Sequence, residues 1–162
     1  MNMLREFGLL FFLFMVTGCV SNKIDVSSNR QAADAKMLDR VLVSISFENQ
    51  KVASSIADKL NKRGVIVKTI VPREAPLELE RGKDLKLAIA DFKPNQVIEF
   101  DVSLFMSNGF SSSVTLSGKI YDVAMKKRVW NFVYISNHGI EPDEFVNAVV
   151  QKLESDGFIP PP

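Results

Sequence analysis

The chain has 162 residues, 46% of them hydrophobic, enough for one ordinary domain to bury a core without staples. Lys and Arg number 20 against 19 Asp and Glu, a formal charge of +1 with no block of like sign. That excludes the basic patch nucleic-acid binding needs, and a single histidine excludes metal sites built from several imidazoles.

The first element is a short head, Met1–Phe7, carrying Arg5 ahead of an apolar run, Gly8–Val16, that closes on Val16-Thr17-Gly18-Cys19. A charged head, an apolar run of about 7–15 residues and small residues at a cleavage point make a secretory signal peptide. The run is far short of the ~20 residues a membrane span requires. With cysteine at the cleavage point, residues 1–18 resemble a bacterial lipoprotein signal peptide whose lipobox is Val16–Cys19. The resemblance implies cleavage between Gly18 and Cys19, a diacylglycerol on the Cys19 thiol and an acyl chain such as palmitate on the new amino group. Several chains, at ~0.8 kcal/mol per buried CH₂, anchor a domain stably. Val20 and Ser21 stand where an aspartate would favour retention in the inner membrane. The resemblance therefore implies the outer membrane with the domain facing the periplasm, the inner membrane or the cell surface being the other addresses. This covalent lipid is the only non-protein group expected.

Residues 19–37 read as a lipidated tether, because Val20–Ala35 is rich in Ser, Asn and Asp. A flexible coil of about 16 residues reaches roughly 20–24 Å on average. The domain is expected over residues 38–159. Val41, Val43, Ile45 and Phe47 alternate with Leu42, Ser44 and Ser46 as a strand does. Asn49 is placed to cap a helix to Arg63, with Val52, Ile56 and Leu60 on one face and Gly64 ending it. Val65–Val71 is a second, parallel strand reached by a right-handed crossover. Pro72–Gly82 reads as a loop and Lys83–Phe92 as a helix presenting Leu85, Ala88, Ile89 and Phe92 inward. Strands follow over Gln96–Met106, Ser112–Val123 and Arg128–Asn137, then a helix from Pro142 to Gly157 with Asp143 and Glu144 at its positive end. Pro160–Pro162 is a tail. The expected fold is an α/β two-layer sandwich of order β-α-β-α-β-β-β-α, with three helices on one face of a five-stranded mixed sheet.

Side-chain chemistry sets a register for the last three strands. Opposing Phe100 to Gly118 and Glu99 to Lys119 yields one apolar face and one polar face with an ion pair. Continuing the second hairpin, with Val133 opposite Gly118, puts Trp130, Phe132 and Tyr134 on the polar face and Trp130 beside Tyr121. Three explanations stand open: a partner surface, cover by the tether or another protomer, or a register displaced by one that returns the rings to the core. The first makes Trp130, Phe132, Tyr134 and Tyr121 a candidate interaction surface, joined by Phe110 at the hairpin tip Ser107–Ser111.

Catalytic constellations are sparse. His138 lies in a turn, no nucleophile-elbow motif occurs, and Glu99 with Asp101 reads as a solvated strand face beside Lys119. Neither a catalytic residue nor a metal ligand is assigned. The hairpin Ile120-Tyr121-Asp122-Val123-Ala124-Met125-Lys126-Lys127-Arg128-Val129-Trp130 and the element order resemble a group of bacterial envelope proteins. The group includes the amino-terminal domain of TolB, the lipoprotein CsgG and LpoB-type activators. The resemblance implies a non-enzymatic, lipid-anchored module that docks to another envelope protein and is open to oligomerisation. The alternative is an auxiliary lipoprotein of an ABC-type lipid-transport system, holding an apolar ligand beside the sheet.

Overall fold

A computed structural model describes residues 24–47, 50–70, 78–107 and 112–161, with the side chains of 78–81 excepted. The elements are β1 (Ile24–Arg30), β2 (Arg40–Ile45), α1 (Gln50–Asn61), β3 (Ile66–Ile70), α2 (Glu78–Phe92), β4 (Gln96–Ser107), β5 (Ser112–Asp122), β6 (Lys127–Ser136) and α3 (Pro142–Ser155). They form one six-stranded mixed sheet of order β1-β6-β5-β4-β2-β3 with three helices. The α/β class and the expected element order hold, with one strand added in front.

That strand corrects the tether. Residues 24–30 pair antiparallel with β6 from Ile24↔Ser136 to Arg30↔Trp130. Ser27, Ser28 and Asn29 disguised it, because an edge strand needs few apolar residues when backbone pairing satisfies its polar groups. Ile24 and Val26 pack on the core, and Ala32, Ala35 and Leu38 are buried in it. Arg30 ties the strand down: Nη1 donates to the Asp156 carbonyl at 3.0 Å, Nε to the Ala32 carbonyl at 3.3 Å and Nη2 to the Ala35 carbonyl.

The core lies between the sheet and two helices. Val52, Ala53, Ile56 and Leu60 of α1 and Phe145, Val146, Val149, Val150 and Leu153 of α3 meet Val41, Val43, Ile45, Ile98, Phe100, Leu116 and Ile120. Gly64, at φ 83°, follows α1 in the left-handed conformation that suits glycine at a helix end. Pro142 occupies the first turn of α3 as expected, with Asp143 and Glu144. The Asn49 cap lies outside the described residues.

The remaining helix differs from expectation twice. It begins at Glu78, inside the expected loop, and it packs on the opposite face. Because side chains alternate along a strand, Arg40 and Lys68 face away from the core that holds Val41 and Val67. Arg40 lies over the Phe92 ring at 4.3 Å, and Lys68 pairs with Asp91 at 2.6 Å. So α2 covers β2 and β3 from behind, which explains why Leu42 is fully buried on that side. Over β4, β5, β6 and β1 the same face carries no helix among the described residues.

Candidate functional site

The β4–β5 register matches expectation from Gln96↔Asp122 to Val102↔Leu116. Glu99 and Lys119 pair at 2.9 Å, and this hydrogen bond to Glu99 raises the Lys119 pKa above its ordinary value. Gly118 is required by its neighbour: a Cβ there would stand 2.7 Å from Phe100 Cε1. Past Val102 the register slips, so that Leu104 rather than Ser103 faces Thr115. This bulge leaves Val102, Leu104, Phe105 and Met106 exposed at 41, 50, 62 and 57%.

The aromatic stripe belongs to the core. A second irregularity, between Ile120 and Tyr121, pairs Ile120 with Trp130, Gly118 with Phe132 and Leu116 with Tyr134. Trp130, Phe132 and Tyr134 are at most 1% exposed, which corrects their reading as a partner surface. The extra residue is Val129, buried like its neighbour Trp130, and one inserted residue turns every later side chain to the other face. Trp130 stacks on Phe132 at 5.4 Å and donates from Nε1 to Asp156 Oδ2 at 2.7 Å. Tyr134 packs edge-on against Phe145 at 5.3 Å, its hydroxyl buried without a well-formed hydrogen bond. Burial pushes the Tyr134 pKa up.

Among the described residues of the expected surface only Tyr121 stays outside, 40% exposed. Phe110, Gly18 and Cys19 lie outside the described residues. On the helix-free face Tyr121 shares the sheet with the Glu99–Lys119 pair, Asp101, half-buried Val133 and exposed Ile135. Expected apolar at the core, Val133 and Ile135 are here because of the same one-residue displacement.

One arrangement was not legible in the sequence. Ser136 Oγ lies 3.2 Å from His138 Nδ1, and His138 Nε2 lies 3.4 Å from Glu144 Oε2. The residue types are those of a hydrolase triad, but Ser136 is fully buried, so no substrate carbonyl reaches its Oγ. Ser136 Oγ also accepts from the His138 amide at 3.3 Å, and the group brackets the turn from β6 to α3.

Among the described residues no His, Cys, Asp and Glu cluster is placed to hold a metal, and no helix is long and apolar enough to cross a membrane. A cavity of about 490 Å³ is lined by Asp34, Lys36, Asp39, Gln96, Asp122 and Met125 among others. A second, of about 370 Å³ between α1 and α3, is lined by Lys59, Arg63 and Glu154 among others. The first mixes these charges with Met37, Pro94, Val123 and Ala124, and the second includes Val150.

No protein-family model and no curated protein matches this chain. Solved structures do. PelC from Paraburkholderia phytofirmans, described as a dodecamer, is similar with a TM-score of 0.50 at 19% identity, over 82% of this chain and 96% of that one. Lipoprotein GNA1162 from Neisseria meningitidis gives a TM-score of 0.38 at 16% identity, over 72% of this chain and 99% of that one. The PelC likeness is one of fold.

Proposed function

We propose that this chain is a lipid-anchored, periplasm-facing binding module that docks another envelope protein on the open face of β4, β5 and β6. The observation that carries the reading is a sheet face without helical cover among the described residues, on which Tyr121 and Ile135 stand exposed beside the Glu99–Lys119 pair. An exposed tyrosine offers apolar area with a hydrogen-bonding tip, the mixture found where interfaces bind most strongly. Support for the address comes from the lipobox and from the resemblance to envelope lipoproteins. The buried Ser136 favours binding over catalysis. The alternative, an auxiliary subunit of lipid transport, would place its apolar ligand in the cavity lined in part by Met37, Pro94, Val123, Ala124 and Met125, where Asp34, Lys36, Asp39 and Asp122 also stand.

A photo-reactive amino acid at Tyr121, activated in intact envelopes, tests this. A single protein adduct is expected, lost when Ile135→Asp is added with the thermal midpoint unchanged. Adducts only between copies of the chain would turn the face into a self-assembly surface. No adduct, with a folded protein, would sink the docking reading.

A further inference from the structure

The exposed apolar residues of β4 lie on the other side of a simple geometric question: where the chain leaves the sheet toward Cys19. Across the sheet, Phe105 pairs with Val114, Val114 with Ser136 and Ser136 with Ile24. The first described residue and the apolar end of β4 therefore occupy one row, three strand spacings or roughly 14 Å apart. Met106 and Ser107, paired with Ser113 and Ser112, carry the hairpin two pairs, roughly 7 Å, beyond that row. Cys19 precedes Ile24 by five residues, and five peptide steps span at most ~18 Å. Acyl chains on Cys19 are thus confined near the same end of the sheet as the hairpin.

We propose that this end of the β4–β5 hairpin dips into the bilayer that holds the Cys19 lipids, a second point of attachment that fixes how the domain stands on the membrane. The proposal rests on the reading of Cys19 as the lipid anchor. Three observations favour lipid over a protein occupant. Past the bulge, Leu104 and Met106 point to the open face while Phe105 points to the helix face, so the strand end is apolar on both sides. A partner docked on one face would cover only half of it, whereas lipid surrounds both. No Asp, Glu, Lys or Arg occurs from Val102 to Gly118, in a chain that is 24% charged, so nothing there resists the acyl region. Finally, the charges at this end of the sheet, Asp25, Glu141 and Glu144, belong to β1 and to the start of α3 rather than to the hairpin, Glu144 lying beside His138, which pairs with Ser112. Tyr121, seven residues back along β5 and roughly 24 Å from Val114, then faces away from the membrane, where a periplasmic partner reaches it.

The chain has no other cysteine, so a thiol introduced by Phe105→Cys in the full lipidated protein is uniquely available to an environment-sensitive fluorophore. Met106→Cys provides a second site if the first disturbs folding. Lys126→Cys, in the turn at the far end of the sheet, is the aqueous control. In vesicles of phosphatidylethanolamine and phosphatidylglycerol carrying nitroxide on their acyl chains, emission from position 105 should be quenched and emission from 126 should not. Because the contact is uncharged, the quenching should persist when phosphatidylglycerol is left out. Mass spectrometry of the same sample reads the anchor. Acylated Cys19 with unquenched probes at 105 and 106 would overturn the hairpin inference and leave the anchor standing. Cys19 without acyl chains would overturn the anchor and the inference with it. A photo-reactive group at Met106 that crosslinks protein or a second copy in envelopes, instead of lipid, would also overturn it.

Discussion

Trp130 shows how far a single residue can move a functional reading. Its ring is fully buried, stacked on Phe132 and hydrogen-bonded to Asp156, so Trp130→Ala should cost about 3–5 kcal/mol of stability. Tyr134 is as deeply buried but its hydroxyl makes no well-formed hydrogen bond, the Ser136 hydroxyl interacting with it only weakly, and an unpaired buried polar group costs about 1–3 kcal/mol. Tyr134→Phe should therefore be neutral or stabilising. Denaturant titration of both variants checks the pair: equal losses would mean that the Tyr134 hydroxyl is satisfied after all. The residue types told the truth in the sequence, since a stripe of three large rings on a wet face was anomalous. What hid their place was Val129, one inserted residue whose backbone irregularity no side chain announces.

At the scale of elements, the first hairpin was legible and the second was not, for a definite reason. Phe100 against Gly118 and Glu99 against Lys119 are complementary in size and charge, so they pin the register from both faces. The second hairpin lacks such a pair, and its register follows from a turn with Lys126 at φ 52° and Asp122 Oδ1 accepting from the Met125 amide. Helix α2 was legible as a helix but not by side, since Arg40 and Lys68, residues a sequence places in solvent, flank Leu42 on the face it covers. The Glu99–Lys119 pair carries a pH prediction. Its Lys119 pKa is raised, chiefly by the hydrogen bond to Glu99, so the stabilisation is present below the ordinary lysine value of 10.5 and is lost as pH rises through the higher folded value. For a partly exposed pair the contribution is about 0.2–1 kcal/mol. The stability gap between wild type and Lys119→Met should therefore be open at neutral pH and close in strong alkali. Comparing the two proteins cancels the buried Tyr134, which loses its own contribution above its ordinary value of 10.0. A gap that does not change with pH would show the pair to be energetically silent.

For the whole molecule, the decisive change is where the folded body begins. A tether ending near Leu38 would leave the domain free to tumble on the proposed anchor, while a strand starting at Ile24 leaves only four residues between it and Cys19. The joint that makes this so is Arg30. Its guanidinium bonds to the carbonyls of Ala32, Ala35 and Asp156 and lies 5.0 Å over the Phe158 ring, joining the first strand to the last turn. The Leu38 amide closes the same junction by donating to the Phe158 carbonyl at 2.8 Å. Hydrogen bonds from a charged donor contribute about 1.5–3 kcal/mol each, reduced where water reaches them, so Arg30→Ala should cost about 2–3 kcal/mol. Lysine should restore little of it, because a single ammonium cannot reproduce the planar fork or lie flat on the ring. The loss has a location as well as a size. In native-state hydrogen exchange every second amide of Ile24–Arg30, those that point at β6 while the alternate amides of this edge strand face away, should be protected in the wild type to the level of their β6 partners. In Arg30→Ala they should exchange early together with the backbone around Phe158, while β4 and β5 stay protected. Fast exchange at those amides in the wild type would return the segment to a tether, and with it would go the short reach between Cys19 and the hairpin on which the proposed orientation at a membrane rests.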